Sequence, residues 1–588
     1  MRIMSAIISA VFKATIGLIV DKGRDVAAER MKEGDVTDQK FRSLIVRDLK
    51  EIHNKLDALS QKDLKAAVDF FETGLGCLHK AVDTMRSANV SLGAAKVSER
   101  NEEEDLKEIT LPSDTDPEKA IVVADGIRSM QLTELDETTK SLLSKAKEKF
   151  RLAVEYTTHA CNNESLSTFD RITAIRYRVM SSMLESATET ARTTGDLKST
   201  LIRALPDCEQ CLRKLNSLPA VQNSFRVELS KSPLNIRGRF GRDERMQIIS
   251  TVCQVNRTVY DAMQTAGKAK DIHVLKWPYV DIGEDNVDPL RDVRVLKLLR
   301  RVNMEHYCIT VGWSFGMGCR LLFWTMATNT LGQFLIAKTC GKTVHVYDKN
   351  GTFQFSFNSP TDNAKTEIEI ADLVTEDVSE KIYLQVKLKR PEAKVWEGEV
   401  QVFNKTADLE YKFPVRYARM ERLIVSGRNL LILGSSEADV YNHNGEFVRS
   451  FEFFKSEGDK YLDDCTATHD GRILIMHQRE DISDYHCVHV FTMEGQEIAK
   501  FKSGVGLDLA SMRFSPRSAG EHVVIAGHNR HDRLITVEIY TVDGKLVRRI
   551  LLRDERGLYF RGITVTMEGH IAVGFAGRRG DLDKIVVY

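Results

Sequence analysis

The apolar positions of this chain follow two periods, and the change between them divides it. Up to about residue 270 they recur every three or four residues, which gathers them on one face of a helix; beyond about 290 they alternate between turn signals, as in half-buried strands. The cleanest helical pattern lies in 36–100, where Phe41, Ile45, Leu49, Ile52, Leu56 and Leu59 are followed by Leu64, Val68, Phe71, Leu75, Leu78, Val82 and Met85. It predicts two long amphipathic helices, or one that bends near Ser60, capped by Thr37-Asp38. Such a seam serves a bundle or a coiled-coil oligomer equally well.

Ahead of it, 1–35 opens with a helix that carries small residues at Ala6, Ala10, Ala14 and Gly17 and bulky ones at Ile8, Phe12, Ile16 and Ile19. The stripe reads first as packing within the bundle, and second as a membrane contact, because low polarity from Ile3 to Val20 nearly spans a bilayer. The acidic, proline-containing stretch 101–118 predicts a loop. Helical spacing resumes over 119–270 with Leu142, Ala146, Phe150 and Ala153, then Ile172, Ile175, Val179 and Met183. Pro206 is expected to open a further helix and Pro219 to help end it. From Trp277 to Pro289 the helical period breaks, and 271–290 reads as a linker.

The last section, 291–588, repeats itself. Val344-His-Val-Tyr-Asp-Lys-Asn-Gly351, Val400-Gln-Val-Phe-Asn-Lys-Thr406, Ala438-Asp-Val-Tyr-Asn-His-Asn-Gly445, Val488-His-Val-Phe-Thr-Met-Glu-Gly495, Val537-Glu-Ile-Tyr-Thr-Val-Asp-Gly544 and Lys584-Ile-Val-Val-Tyr588 align, each a strand leading into a turn. Their last three intervals are 50, 49 and 48 residues, the period of propeller blades. A second landmark keeps step: Gly332, Gly427, Gly471, Gly520 and Gly569 each precede an apolar stretch expected to form an inner strand. The sixth copy stops one strand short of a blade, so ring closure needs a strand from upstream, and Asp292 to Leu299 is the expected donor. The fold class is thus an N-terminal all-α helical bundle followed by an all-β six-bladed propeller.

The motifs Gly471-Arg-Ile-Leu-Ile with Val488 to Gly495, and Val523-Val-Ile-Ala-Gly-His-Asn-Arg with Val537 to Gly544, resemble the NHL-type propeller that ends tripartite-motif proteins. The resemblance implies binding of a protein or RNA on one ring face. The chain departs from that family where an acidic residue usually follows the inner strand, since Lys338, Gly434 and His477 stand there. The family's zinc-bound ligase modules have no counterpart either, because the first 160 residues contain a single cysteine, Cys77.

Composition narrows the rest. With 84 basic and 84 acidic residues, no global field draws the protein to nucleic acid or membrane. Ten cysteines scattered over 588 residues suggest reduced thiols and a cytoplasmic setting, with membrane association through residues 1–20 as the variant. Lys13 interrupts the apolar run that would make a signal peptide. Cys208-Glu-Gln-Cys211 lacks further zinc ligands at suitable spacing and reads as a pair of buried thiols. Gly312-Trp-Ser-Phe-Gly316 copies a nucleophile elbow, but no alternating helices follow, so it is expected to lie in a first-blade hairpin. No catalytic, cofactor or metal residue is assigned, and the chain is not expected to be an enzyme. Arginines crowd the last two blades, and Arg513, Arg517, Arg530, Arg533, Arg556, Arg561, Arg578 and Arg579, with Tyr559, are the candidate contacts for RNA or a protein partner. The reading is a scaffold whose helices self-associate into a homo-oligomer and whose propeller binds a protein partner; the alternatives are a membrane-active effector and an RNA-binding propeller.

Overall fold

A computed structural model describes residues 61–98, 137–193, 197–229 and 241–588, the last with short interruptions. The helices expected to carry Ile8, Phe12, Ile16 and Ile19 and to run from Phe41 to Leu59, and the acidic stretch 101–118, lie outside the described residues. The chain forms two compact units, one helical and one built of strands.

Six helices fill the helical unit among the described residues: α1 (Lys62–Ser98), α2 (Glu137–Asn162), α3 (Thr168–Thr193), α4 (Leu197–Asn216), α5 (Pro219–Leu229) and α6 (Arg242–Thr265). The sequence periodicity marks their buried faces. Leu64, Val68, Phe71 and Leu75 of α1, Ala146, Phe150 and Ala153 of α2, and Ile172, Ile175, Val179 and Met183 of α3 are all buried. The Phe71 ring sits 5.8 Å from that of Phe150 and 5.2 Å from that of Tyr177. Gly74 makes room for this, since a Cβ there would stand 2.9 Å from Phe150 Cε1.

The prolines behave differently from expectation. Pro206 lies inside α4 rather than at its start. The missing N–H, which costs about 3 kcal/mol in a helix interior, is offset where Asp207 binds Arg178 and Ser182 and where Cys208, Leu212 and Leu215 are buried. Pro219 begins α5, at the one helical position that needs no N–H. Burial raises both thiols of the Cys-x-x-Cys pair, Cys211 to about 12, so both stay protonated.

The strand unit is a six-bladed β-propeller, each blade a four-stranded antiparallel sheet. Blade 1 runs from Trp324 to Asn358, blade 2 from Glu367 to Val415, blade 3 from Arg422 to Glu452, blade 4 from Tyr461 to Ser503 and blade 5 from Leu509 to Arg553. Blade 6 takes three strands from Leu558–Val565, Ile571–Gly577 and Lys584–Val587, and its fourth, Trp313–Gly316, from ahead of blade 1. The aligned aromatics Tyr347, Phe403, Phe491 and Tyr540 end the third strand of their blades and Tyr441 stands one residue before its end, and the chain returns at a left-handed Gly351, Gly445, Gly495 or Gly544. At Gly544 a Cβ would also stand 2.5 Å from Phe501 of blade 4, so glycine is required twice over. Blade 2 uses Ala407 and Glu380, both at positive φ, where other blades have glycine, which is why its repeat is faint in the sequence. One apolar cluster fills each of the six junctions between adjacent blades.

Three expectations about the ring need correction. The donor is Trp313–Gly316, which pairs Lys584–Val587 from Lys584↔Gly316 to Val587↔Trp313, while residues 293–300 form a helix, α7 (Val293–Arg300). Asp292 decides this by accepting the Arg294 amide at 2.8 Å and starting the helix. Ser314 of the elbow-like motif therefore sits in an outer strand of blade 6, not in a first-blade hairpin. The apolar strands after the landmark glycines are the second of each blade and not the innermost.

His273 belongs to the propeller unit, where its ring lies 5.7 Å from that of His570 and both its nitrogens are buried without a hydrogen-bond partner. Burial, with the nearby His570 and cationic groups, pushes its pKa from 6.5 down to about 3. As pH falls from 6.5 toward 3 the unfolded chain therefore binds a proton that folded His273 refuses, and stability drops over that window. His273→Phe should flatten this drop in urea unfolding midpoints taken from pH 7 to 4; an unchanged slope contradicts it. Deleting Lys584 to Tyr588 opens the ring and should lower the melting temperature of the propeller by several degrees, as read by calorimetry.

Candidate functional site

The innermost strand of each blade is its first. Trp324–Thr328, Glu367–Thr375, Arg422–Ser426, Tyr461–Ala467, Leu509–Phe514 and Leu558–Val565 lie side by side around the axis. They enclose a cavity of about 100 Å³ whose polar wall is Thr325, Asp372, Arg422, Asp464, Ser511, Arg513 and Arg561, with Gly562 beside them.

Local backbone geometry decides which side chains reach this cavity. In blades 2, 4 and 6 the first strand bulges at Ala371, Asp463 and Arg561, whereas the first-strand ladders of blades 1, 3 and 5 run without a shift. A bulge re-aims the side chains next to it. The residue after the bulge is Asp372 in blade 2 and Asp464 in blade 4, and the two make matching bonds. Asp372 Oδ1 accepts the Leu373 amide and the Thr325 hydroxyl, both at 2.9 Å, while Oδ2 accepts the Leu423 amide at 3.0 Å. Asp464 Oδ1 accepts the Cys465 amide at 2.9 Å and Arg422 Nε at 3.2 Å. Its Oδ2 accepts Ser511 Oγ at 2.7 Å, the Met512 amide at 2.9 Å and Arg513 Nη1 at 2.8 Å. Each carboxylate thus joins its own blade to both neighbours.

The third place in this alternation is Gly562. No carboxylate stands there, and the Ile563 amide, whose counterparts Leu373 and Cys465 bind aspartate, reaches Ser511 Oγ at 3.4 Å. A Cβ on Gly562 would meet only the Ser511 side chain, at 3.4 Å and beyond. Three guanidiniums, Arg422, Arg513 and Arg561, line the cavity with two carboxylates, Asp372 and Asp464.

Burial alone would raise the Asp464 carboxyl, but Arg513, Arg422 and the Met512 and Ser511 donors outweigh it and hold it below its usual 3.8. Burial opposes the charge on Arg422, and Asp464 and Asp372 more than restore it. Asp464 and Arg422 are therefore both charged at neutral pH.

Of the residues singled out in the sequence, Arg513 and Arg561 come together in the cavity, and Tyr559 lies on the first strand of blade 6. Arg517, Arg530, Arg533, Arg556, Arg578 and Arg579 are outside the described residues. The neighbouring arginines do not share a face with the cavity pair. Arg548 is buried on the outer strand of blade 5, where it binds the carbonyls of Val274 and Trp277 and the Asp288 carboxylate. Arg549 binds Glu538 and Asp285. Asp372, Arg422 and Asp464 were not foreseen; aligning the strands before each glycine turn would have matched Ala371-Asp-Leu with Asp463-Asp-Cys and Arg561-Gly-Ile.

Fold and site together define a six-bladed propeller with a charged axial cavity, joined in one chain to an all-α region. No family model and no curated protein matches the chain. Among solved structures it is similar to the soluble aldose sugar dehydrogenase of Escherichia coli, at 12% identity over 47% of this chain and 99% of that one, with a TM-score of 0.33. It is also similar to the WD40 domain of Neurospora crassa Pan2, at 10% identity over 46% and 93% with a TM-score of 0.30. A third is BBS1N in complex with ARL6DN, at 14% identity over 44% and 76% with a TM-score of 0.28.

Asp464→Asn leaves Arg422 and Arg513 without their shared carboxylate. The expected loss is about 3 kcal/mol, the low end for breaking a buried pair, because the two guanidinium side chains are 37% and 27% exposed and partly screened. Chemical denaturation should show it as a lower midpoint at unchanged m-value.

Proposed function

We propose that the chain is a non-enzymatic scaffold or adaptor whose NHL-like propeller binds an acidic segment of a partner protein, one carboxylate entering the axial cavity, while the helical region self-associates. The observation that carries this is the place of Gly562. Two of the three alternating positions hold an aspartate that accepts bonds from both neighbouring blades, and the third places the Arg561 guanidinium beside Gly562, with no side chain where the aspartate would stand. A side-chain carboxylate has the size and charge for that place, and about 100 Å³ is too little for a folded element. Propeller domains are suited to protein binding, and the rim loops would then supply selectivity.

Six of the arginines behind the RNA reading lie outside the described residues, and the nearby Arg548 and Arg549 are engaged inside the unit. The membrane-effector reading rests on residues 1–20, which lie outside the described residues; no described helix is long and apolar enough to cross a membrane.

The test is recovery of cross-linked partners on the full chain, with and without nuclease, for the wild type and Arg561→Gln. Partners that survive nuclease and bind roughly 10- to 100-fold more weakly to Arg561→Gln, the worth of one charge-assisted hydrogen bond, support the reading. Partners lost on nuclease treatment point to RNA, and equal affinity for Arg561→Gln removes the cavity from the function.

A further inference from the structure

Blade 4 carries a second cluster of chemically capable side chains, away from the axial cavity. On its second and third strands, Ile473–Gln478 and His486–Phe491, His477 stands opposite Cys487, and His489 stands opposite Ile475. Alternation along the strands puts His477, Cys487 and His489 on the face of Ile473, Ile475 and Phe491, which packs against blade 3. All three are buried, at 1%, 3% and 6% exposure. Their donor atoms converge: His477 Nε2 is 2.9 Å and Cys487 Sγ 3.5 Å from His489 Nε2, and all three lie within 4.8 Å of one another.

The protonation states explain why this convergence is more than a hydrogen bond between two histidines. Glu497 Oε1 lies 3.1 Å from His489 Nδ1, not aligned as a hydrogen bond but close enough for its charge to favour the proton on Nδ1 and a bare Nε2 lone pair toward the cluster. Two donors, the His477 N–H and the Cys487 thiol, then compete for one lone pair. A cation at the centre resolves the competition, because both imidazoles present lone pairs to it and the thiol gives its proton to solvent. A carboxylate behind a ligating histidine is also the arrangement that orients such ligands and raises their basicity. Zinc bonds of about 2.0–2.1 Å to nitrogen and 2.3 Å to sulfur give a nitrogen–sulfur edge of roughly 3.5 Å in a tetrahedron, the separation found between Cys487 Sγ and His489 Nε2. The nitrogen–nitrogen edge needs to open by only a few tenths of an ångström.

We propose that His477, Cys487 and His489 bind a zinc ion, with Glu497 as the positioning residue behind His489. Three protein donors of this type leave a fourth position for water. Such a site had no signature in the sequence, since its ligands are brought together by the register of two strands and not by a contiguous motif.

The experiment uses the full chain, stripped with a chelator and titrated with zinc against a chromophoric competitor, then with cobalt. Expected are one zinc per chain, a thiolate-to-cobalt charge-transfer band, and a rise in melting temperature on zinc addition. Cys487→Ser should abolish the band, and Glu497→Gln, which leaves the ligands in place, should weaken zinc binding by about 10- to 100-fold. Cys208→Ser with Cys211→Ser should change none of these. Absence of stoichiometric zinc and of any stabilisation in the wild type overturns the proposal without needing a variant to fold. A cobalt band that persists in Cys487→Ser overturns it as well.

Discussion

Four backbone pairs between Lys584–Val587 and Trp313–Gly316 close the ring, and every other feature of the propeller depends on them. Without that strand, blade 6 would present an unpaired edge and the junction to blade 1 would lose its anchor. The apolar cluster at that junction draws Ile585 and Val587 from the terminal strand together with Met326 and Phe334 of blade 1, so pairing and packing use the same residues. Closure also fixes the circumference at six blades, which sets the width of the axial cavity.

Inside the closed ring the burden passes from apolar packing to hydrogen bonding. First strands are too close to the axis to bury large side chains against one another, and the chain places short polar groups or guanidiniums there. Asp372 and Asp464 each accept bonds from both neighbours, linking blades 1, 2 and 3 and blades 3, 4 and 5. A buried carboxylate is expensive to desolvate, and here the donors that meet it offset that expense and tie the blades in register. Blades 5 and 6 have a different brace: Arg548, fully buried, gathers the 274–277 segment and Asp288 against the outer strand of blade 5.

Much of this was legible in the sequence, and what was not has definable causes. The blade period was visible because the third strand must carry an aromatic at or beside its end before a left-handed turn, a demand that recurs at Gly351, Gly445, Gly495 and Gly544. Blade 2 was faint because Glu380 and Ala407 take the same backbone conformation without glycine. The closing strand was misplaced because Val293 to Leu299 is rich in β-branched and leucine residues, while the side chain of Asp292 starts a helix. Pattern gives composition; a single capping bond gave the outcome. In the helical unit the buried faces of α1 to α3 followed the apolar period, yet Pro206 was misread as a boundary because the Arg178–Asp207 anchor beside it is invisible in one dimension.

The candidate site was half legible for a related reason. Arg513 and Arg561 stood out by residue type, but their partners Asp372 and Asp464 did not, because their meaning lies in a two-blade alternation of β-bulges. That alternation is also what gives Gly562 its significance. At Gly562 the backbone stands at φ +157°, which an L side chain rarely adopts, so the third position carries no carboxylate and the Ile563 amide turns to Ser511. The Arg561 guanidinium lines the cavity beside Arg513, whose partner is Asp464. A carboxylate arriving from outside would meet donors already held in position, so little of its binding energy would be spent on ordering them.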